Sequence, residues 1–125
     1  MRLLLDTHVL LWWLANAPSL GEEARTTISD PASSVFVSAA TVWEISIKRS
    51  LGKLEVPSDL PGQLELNRFQ PLSITISHAN AAGALPRHHD DPFDRMLVAQ
   101  AIEEGLILLT ADQRIRRYGA ETLGV

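Results

Sequence analysis

The segment Asp91-Pro92-Phe93-Asp94-Arg95-Met96-Leu97-Val98-Ala99-Gln100-Ala101, running on to Leu106-Ile107-Leu108-Leu109-Thr110-Ala111-Asp112, constrains the fold most tightly. Asp91 fits a helix N-cap, where a carboxylate accepts from orphan backbone N–H groups. Pro92 then falls at the first helical position, where its missing N–H costs nothing. Asp94 follows at the third position, as in an aspartate version of a capping box. Met96, Leu97, Ala99, Ala101 and Ile102 predict a wide buried face, and Gly105 stops the helix. Leu106 to Leu109 is a short, continuous apolar run, the pattern of a strand covered on both faces. Asp112 follows it closely. Because α/β sheets gather chemistry at the carboxyl ends of their strands, this segment can bring Asp94 and Asp112 to one cleft.

The start of the chain repeats the pattern. Arg2 to Leu5 predicts a buried strand ending on Asp6, and Thr7 to Ala15 a helix. Asp6 is either that helix's cap or an acid placed for chemistry. His8 reads as structural. Trp12 and Trp13 read as core and interface residues, since neighbours on a helix cannot face the same way.

Pro18 and Gly21 mark a turn, and Gly21 to Ser29 predicts a short polar helix. Val35 to Val37 predicts a second buried strand, and Ser38 caps a helix from Ala39 to Ser50 that Gly52 ends. Glu44 is flanked there by Trp43 and Ile45. Taken alone, it reads as an exposed acid beside Ser46, Lys48 and Arg49.

Leu54 to Pro61 is an irregular connection, and Gly62 to Arg68 predicts a helix. Leu72 to Ile76 alternates like a third strand, with Ser77 capping a short helix through Leu85. Gln113 to Tyr118 predicts a basic helix whose Arg114, Arg116 and Arg117 form either a solvated face or a grip on phosphates. Glu121 to Val125 predicts a last strand. Strand and helix alternate throughout, as in a parallel sheet covered on both faces. A single domain spanning 1–125 is expected.

Composition removes several functions. There is no cysteine, so disulfides, thiolate metal sites and cysteine nucleophiles are out. His88-His89 beside Asp90-Asp91 raises zinc, but adjacent histidines point apart and no further His or Cys completes a usual zinc set. No apolar run is long enough to span a bilayer, and the N-terminus lacks the long apolar region of a signal peptide, so a cytoplasmic protein is expected. The formal net charge of −4 argues against bulk coating of nucleic acid, though not against a nuclease with local basic residues.

Asp6, Glu44, Asp94 and Asp112 stand where strand ends and helix starts should converge. Oxygen ligands suit Mg²⁺ or Mn²⁺. A helix N-terminus helps Asp94 stay ionised, yet clustered anions repel unless a cation joins them. Such a site can activate water and stabilise charge during attack on a phosphodiester.

The chain resembles the PIN-domain family, and specifically the VapC-type toxins of prokaryotic toxin–antitoxin pairs. The matching pieces are Leu3-Leu4-Leu5-Asp6-Thr7-His8, Ser38-Ala39-Ala40-Thr41-Val42-Trp43-Glu44-Ile45, Asp91-Pro92-Phe93-Asp94-Arg95 with Leu97-Val98-Ala99-Gln100-Ala101, and Leu108-Leu109-Thr110-Ala111-Asp112. They span almost the whole chain in the family's order. The resemblance implies a three-layer α/β/α sandwich with a parallel sheet of about five strands. It also implies a Mg²⁺- or Mn²⁺-dependent ribonuclease, the toxin of a type II system, neutralised by a cognate antitoxin. The family's four acids fall on Asp6, Glu44, Asp94 and Asp112. Asp6 and Asp94 are the first choices as metal ligands. Glu44 and Asp112 act through water or complete a second site, and Asp91 reads as cap before ligand. Thr110 steadies the site through its hydroxyl. A metal-activated water attacks phosphorus and the 3′ oxygen leaves. The preference for RNA comes from the resemblance, since the acids do not require a 2′-hydroxyl. Apolar surfaces around Trp12, Trp13 and Trp43 imply a homodimer or an antitoxin groove.

Competing folds fit less well. A receiver domain would need an acid pair after the first strand and a late lysine, but Asp6 stands alone and the only lysines are Lys48 and Lys53. A haloacid-dehalogenase phosphatase would need a second acid where His8 stands. A PIN nuclease working in RNA processing or DNA cleavage, or an inactive nucleic-acid-binding module, is the remaining alternative.

Overall fold

The computed structural model describes all 125 residues. Five strands, β1 (Arg2–Leu5), β2 (Ser34–Ser38), β3 (Gln70–Leu72), β4 (Ile107–Thr110) and β5 (Thr122–Gly124), form one sheet in the order β3-β2-β1-β4-β5. Every pairing is parallel. The helices are α1 (Thr7–Leu14), α2 (Glu22–Ser29), α3 (Ala39–Ser50), α4 (Leu60–Leu66), α5 (Ile76–Ala84) and α6 (Pro92–Glu104). The chain builds outward from β1 through β2 to β3, then returns to β1's other side with β4. The direction of winding therefore reverses between β1 and β4, where open α/β sheets leave a crevice at their carboxyl ends.

Period-two alternation sends side chains into two cores. Leu3, Leu5, Val35, Val37 and Leu109 pack with Val9, Leu10, Ala24, Ile28, Ile45 and Leu60 from α1 to α4. Leu4 and Leu108 face the opposite way, onto Leu97, Val98 and Ala101 of α6. These central strands read as unbroken apolar runs because both faces are covered.

The expected three-layer parallel architecture is present. Asp91 caps α6, accepting from the N–H groups of Phe93 and Asp94 at 2.8 and 3.1 Å, and Gly105 ends the helix at φ +65°. Ser38 caps α3 by accepting from the Ala40 N–H at 3.0 Å.

Other local expectations need correction. The third strand lies earlier than Leu72–Ile76, at Gln70–Leu72, and Ile76 begins a helix. Thr75, and not Ser77, is the cap. Its hydroxyl accepts from the His78 N–H while His78 Nδ1 accepts from the Thr75 N–H, each at 3.1 Å. This reciprocal cap overrides the β-like alternation. Pro71 is tolerated because β3 is an edge strand. Helix α4 begins at Leu60, before the expected Gly62, since Asp59 caps it by accepting from the Gly62 N–H at 3.1 Å. The basic helix over Gln113–Tyr118 is only a 3₁₀ turn, Ile115–Arg117. On α6, Ile102 is exposed while Arg95 and Gln100 are buried.

Candidate active site at the carboxyl ends of the central strands

Asp6 follows β1 directly and is both cap and candidate ligand. Its Oδ1 accepts from the Val9 N–H at 2.8 Å, and its own N–H donates to Leu109 O at 3.1 Å, pinning it against β4. Burial raises its pKa, opposed by hydrogen bonds from the Thr110 hydroxyl and the Val9 N–H. Thr110 also accepts from the Asp112 N–H at 3.0 Å. The Thr110 hydroxyl thus stands beside both the acid after β1 and the acid after β4.

Glu44 is buried, with only 6% of its surface exposed, so its reading as a solvated acid is wrong. Its Oε1 accepts from Thr7 Oγ1 at 2.7 Å and its Oε2 from Lys48 Nζ at 2.7 Å. The first turn of α1 is thereby fastened to α3. The hydrogen bond to Glu44 chiefly raises the Lys48 pKa, and the charges of Glu44, Asp91 and Asp94 add to it. Position 44 faces inward although its sequence neighbour Trp43 is 61% exposed. Adjacent residues on a helix diverge in this way.

Asp94, on the first turn of α6, has its pKa raised from the usual 3.8 to about 6. Burial is the largest cause and the charge of Asp91 the next. His89 opposes them, while Asp6 and Glu44 push it further upward. The helix N-terminus does not keep this acid in the ordinary carboxylate range. Asp112 shifts the other way. Burial would raise it, but hydrogen bonds from the Arg114 side chain and backbone, with the charges of Arg114 and His89, hold it below the usual value. The Arg114 N–H donates to Asp112 Oδ1 at 2.8 Å, and Arg114 Nη2 lies 3.2 Å from Oδ2. Arg114 is therefore occupied by an acid of the chain itself.

His89, set aside above as a zinc ligand, joins the acids. It is 6% exposed, and its Nε2 stands 2.9 Å from Asp94 Oδ2 and 3.2 Å from Asp112 Oδ2. One ligand atom from each of these three residues lies within 4.8 Å of the other two. His88 turns away, its ring edge-on to Tyr118 at 5.0 Å, so the two histidines do diverge as expected. The available signal was the attachment of His89 to a short loop ending at the cap Asp91. Arg95 was missed. Its guanidinium donates to the carbonyls of Ala82, Leu85, Pro86 and His89 at 2.9 to 3.2 Å, holding the loop between α5 and α6.

The donor set fits a hard divalent cation. Asp94 on α6 and Asp112 beyond β4 bring carboxylate oxygens within 4.8 Å of one another, and burial, with the neighbouring anions, drives the Asp94 pKa upward, a cost that a bound cation would relieve.

An all-parallel α/β sandwich with carboxylates gathered beside its winding reversal defines the class of protein. The PIN domain family matches residues 3–121, and the chain belongs to that family. It is 32% identical to Ribonuclease VapC22 of Mycobacterium tuberculosis over 118 residues, covering 92% of this chain and 90% of that protein. Among solved structures, VapBC2 from Rickettsia felis bound to a DNA fragment from its promoter matches with a TM-score of 0.73. The identity is 14%, with 100% of this chain and 99% of that one covered. DNA-bound VapBC from Salmonella typhimurium matches with a TM-score of 0.70 and 19% identity, covering 99% and 98%. No helix is long and apolar enough to cross a membrane.

Proposed function

We propose that this protein is the toxin of a type II toxin–antitoxin pair, a metal-dependent endoribonuclease contained in a single PIN domain and acting in the cytoplasm. The observation that carries the reading is that Asp94, Asp112 and His89 bring ligand atoms within 4.8 Å of one another at the carboxyl ends of the central strands, where Asp6 and Glu44 are also buried. The relative named as a ribonuclease supports the reaction class, and the VapBC complexes with the same fold support an antitoxin partner.

Asp6 and Asp94 are the proposed ligands of Mg²⁺ or Mn²⁺. Glu44 and Asp112 complete the acidic site, and Asp91 serves as the α6 cap. When bound, the cation supplies water activation and neutralises charge as the phosphodiester bond breaks. The chain's own residues prepare the site. Thr110 orients Asp6 and Asp112, Thr7 and Lys48 fix Glu44, and Asp91 sets the first turn that carries Asp94. We further propose RNA as the substrate and a homodimer as the resting form.

The test is cleavage of a structured RNA pool by purified protein with Mn²⁺ or Mg²⁺, with EDTA, and beside Asp6→Asn. Metal-dependent cutting that is lost in the variant is expected. Equal cutting by parent and variant would remove Asp6 from the site.

A further inference from the structure

We propose that His89 positions the Asp94–Asp112 pair by donating through Nε2, and is not itself a ligand of the divalent ion. The inference rests on the metal-centred reading above. Proximity alone would make His89, Asp94 and Asp112 a three-ligand set. The hydrogen bonds of the ring argue otherwise.

The backbone N–H of Asp91 donates to His89 Nδ1 at 3.2 Å. A backbone N–H can only donate, so Nδ1 presents its lone pair and the ring proton sits on Nε2. That proton is shared between Asp94 Oδ2 and Asp112 Oδ2, at 2.9 and 3.2 Å. An imidazole ligand needs a lone pair at the coordinating atom. Freeing one at Nε2 would move the proton to Nδ1 and set it against the Asp91 N–H.

The loop fixes the backbone from which the ring projects. His89's N–H donates to the Tyr118 hydroxyl at 3.0 Å, and that hydroxyl donates to Pro86 O at 2.8 Å. Arg95 Nη1 donates to His89 O at 3.2 Å and to Pro86 O at 3.0 Å. The imidazole thus joins an acid on a helix's first turn to an acid beyond a strand. Partners that orient metal-binding carboxylates in this way typically change metal affinity or activity by about 10- to 100-fold when removed.

The experiment uses the full chain with Mn²⁺. Binding is measured by calorimetry, and pulsed electron paramagnetic resonance reads ¹⁴N coupling to the bound ion. His89→Phe keeps a ring but removes the donor, while His89→Gln restores an N–H donor. We expect Mn²⁺ affinity to fall about tenfold in His89→Phe and to recover largely in His89→Gln. The ¹⁴N spectra of parent and His89→Phe should match. Nitrogen coupling that disappears with His89 would make it a ligand and overturn the proposal. Unchanged affinity in His89→Phe, or no recovery in His89→Gln, would also overturn it. A parent that binds no Mn²⁺ would remove the metal-centred reading itself, and the clamp with it. Should His89→Phe not fold by circular dichroism, Tyr118→Phe is read instead, with a smaller loss of affinity expected and an unchanged affinity counting against the proposal.

Discussion

Asp94 carries a stability cost that pH should expose. In the metal-free protein its pKa rises from 3.8 to about 6 on folding, so between those values the folded state holds a proton that the unfolded chain has lost. Stability from this group therefore falls as pH rises through that interval and levels off above it. Asp94→Asn should flatten the dependence and stabilise the metal-free fold near neutrality by about 2 kcal/mol, less than the full shift implies because the side chain keeps some solvent contact. Thermal unfolding from pH 4 to pH 7 with EDTA checks this, and the same variant should cut no RNA. Asp6 separates its two duties by a different comparison. Asp6→Asn keeps a side-chain oxygen for the Val9 N–H and should stay close to the parent in stability. Asp6→Ala loses the cap and about 1 kcal/mol. Both should lose cleavage. An active Asp6→Asn would leave Asp6 as a cap alone.

Among the elements, α6 with its preceding loop was the most legible and also hid the most. Asp91, Pro92 and Gly105 announce its ends because capping is a local matter of backbone hydrogen bonds. Nothing local announces that Arg95 turns inward. Its partners are carbonyls of Ala82, Leu85, Pro86 and His89, which become neighbours only when the loop folds back over α6. Glu44 escaped a residue-by-residue reading for the same reason: its partner Thr7 belongs to another helix. The resemblance placed Glu44 among the acids where local pattern did not. β3 was misplaced because the Thr75–His78 reciprocal cap claims residues that alternate like a strand. Arg95→Met should destabilise the protein by about 3 kcal/mol or more in urea unfolding, since several carbonyls lose their donor together. Arg95→Lys should recover only part of this, because one ammonium cannot reproduce a planar fork. A shift below 1 kcal/mol in Arg95→Met would mean that the loop holds without the guanidinium.

On the scale of the whole molecule, the exposed apolar surface bears on the proposed dimer. Trp13 is not free for a partner: its indole N–H donates to Asn67 Oδ1 at 2.9 Å and its ring packs near Phe69. Trp43 remains 61% exposed beside a groove of about 650 Å³ that includes Val42, Leu64, Phe69 and Leu72. Trp43→Glu is expected to shift sedimentation from dimer toward monomer while leaving the monomer's helicity intact. A parent that sediments as a monomer at micromolar concentration would remove the homodimer.

The strand pairing at the centre also bears on when activity can first exist during translation. β1 pairs with β4 through Leu3 and Ile107, so the heart of the sheet joins parts of the polypeptide made far apart in time. A ribosome that has released only the first helices has exposed Asp6 and Glu44, but neither the crevice nor Asp94 and Asp112. Contacts this distant in sequence form late and slowly. If the chain cuts RNA, the message being read and the ribosome reading it are spared until β4 emerges and docks, a delay that the topology imposes without any inhibitor.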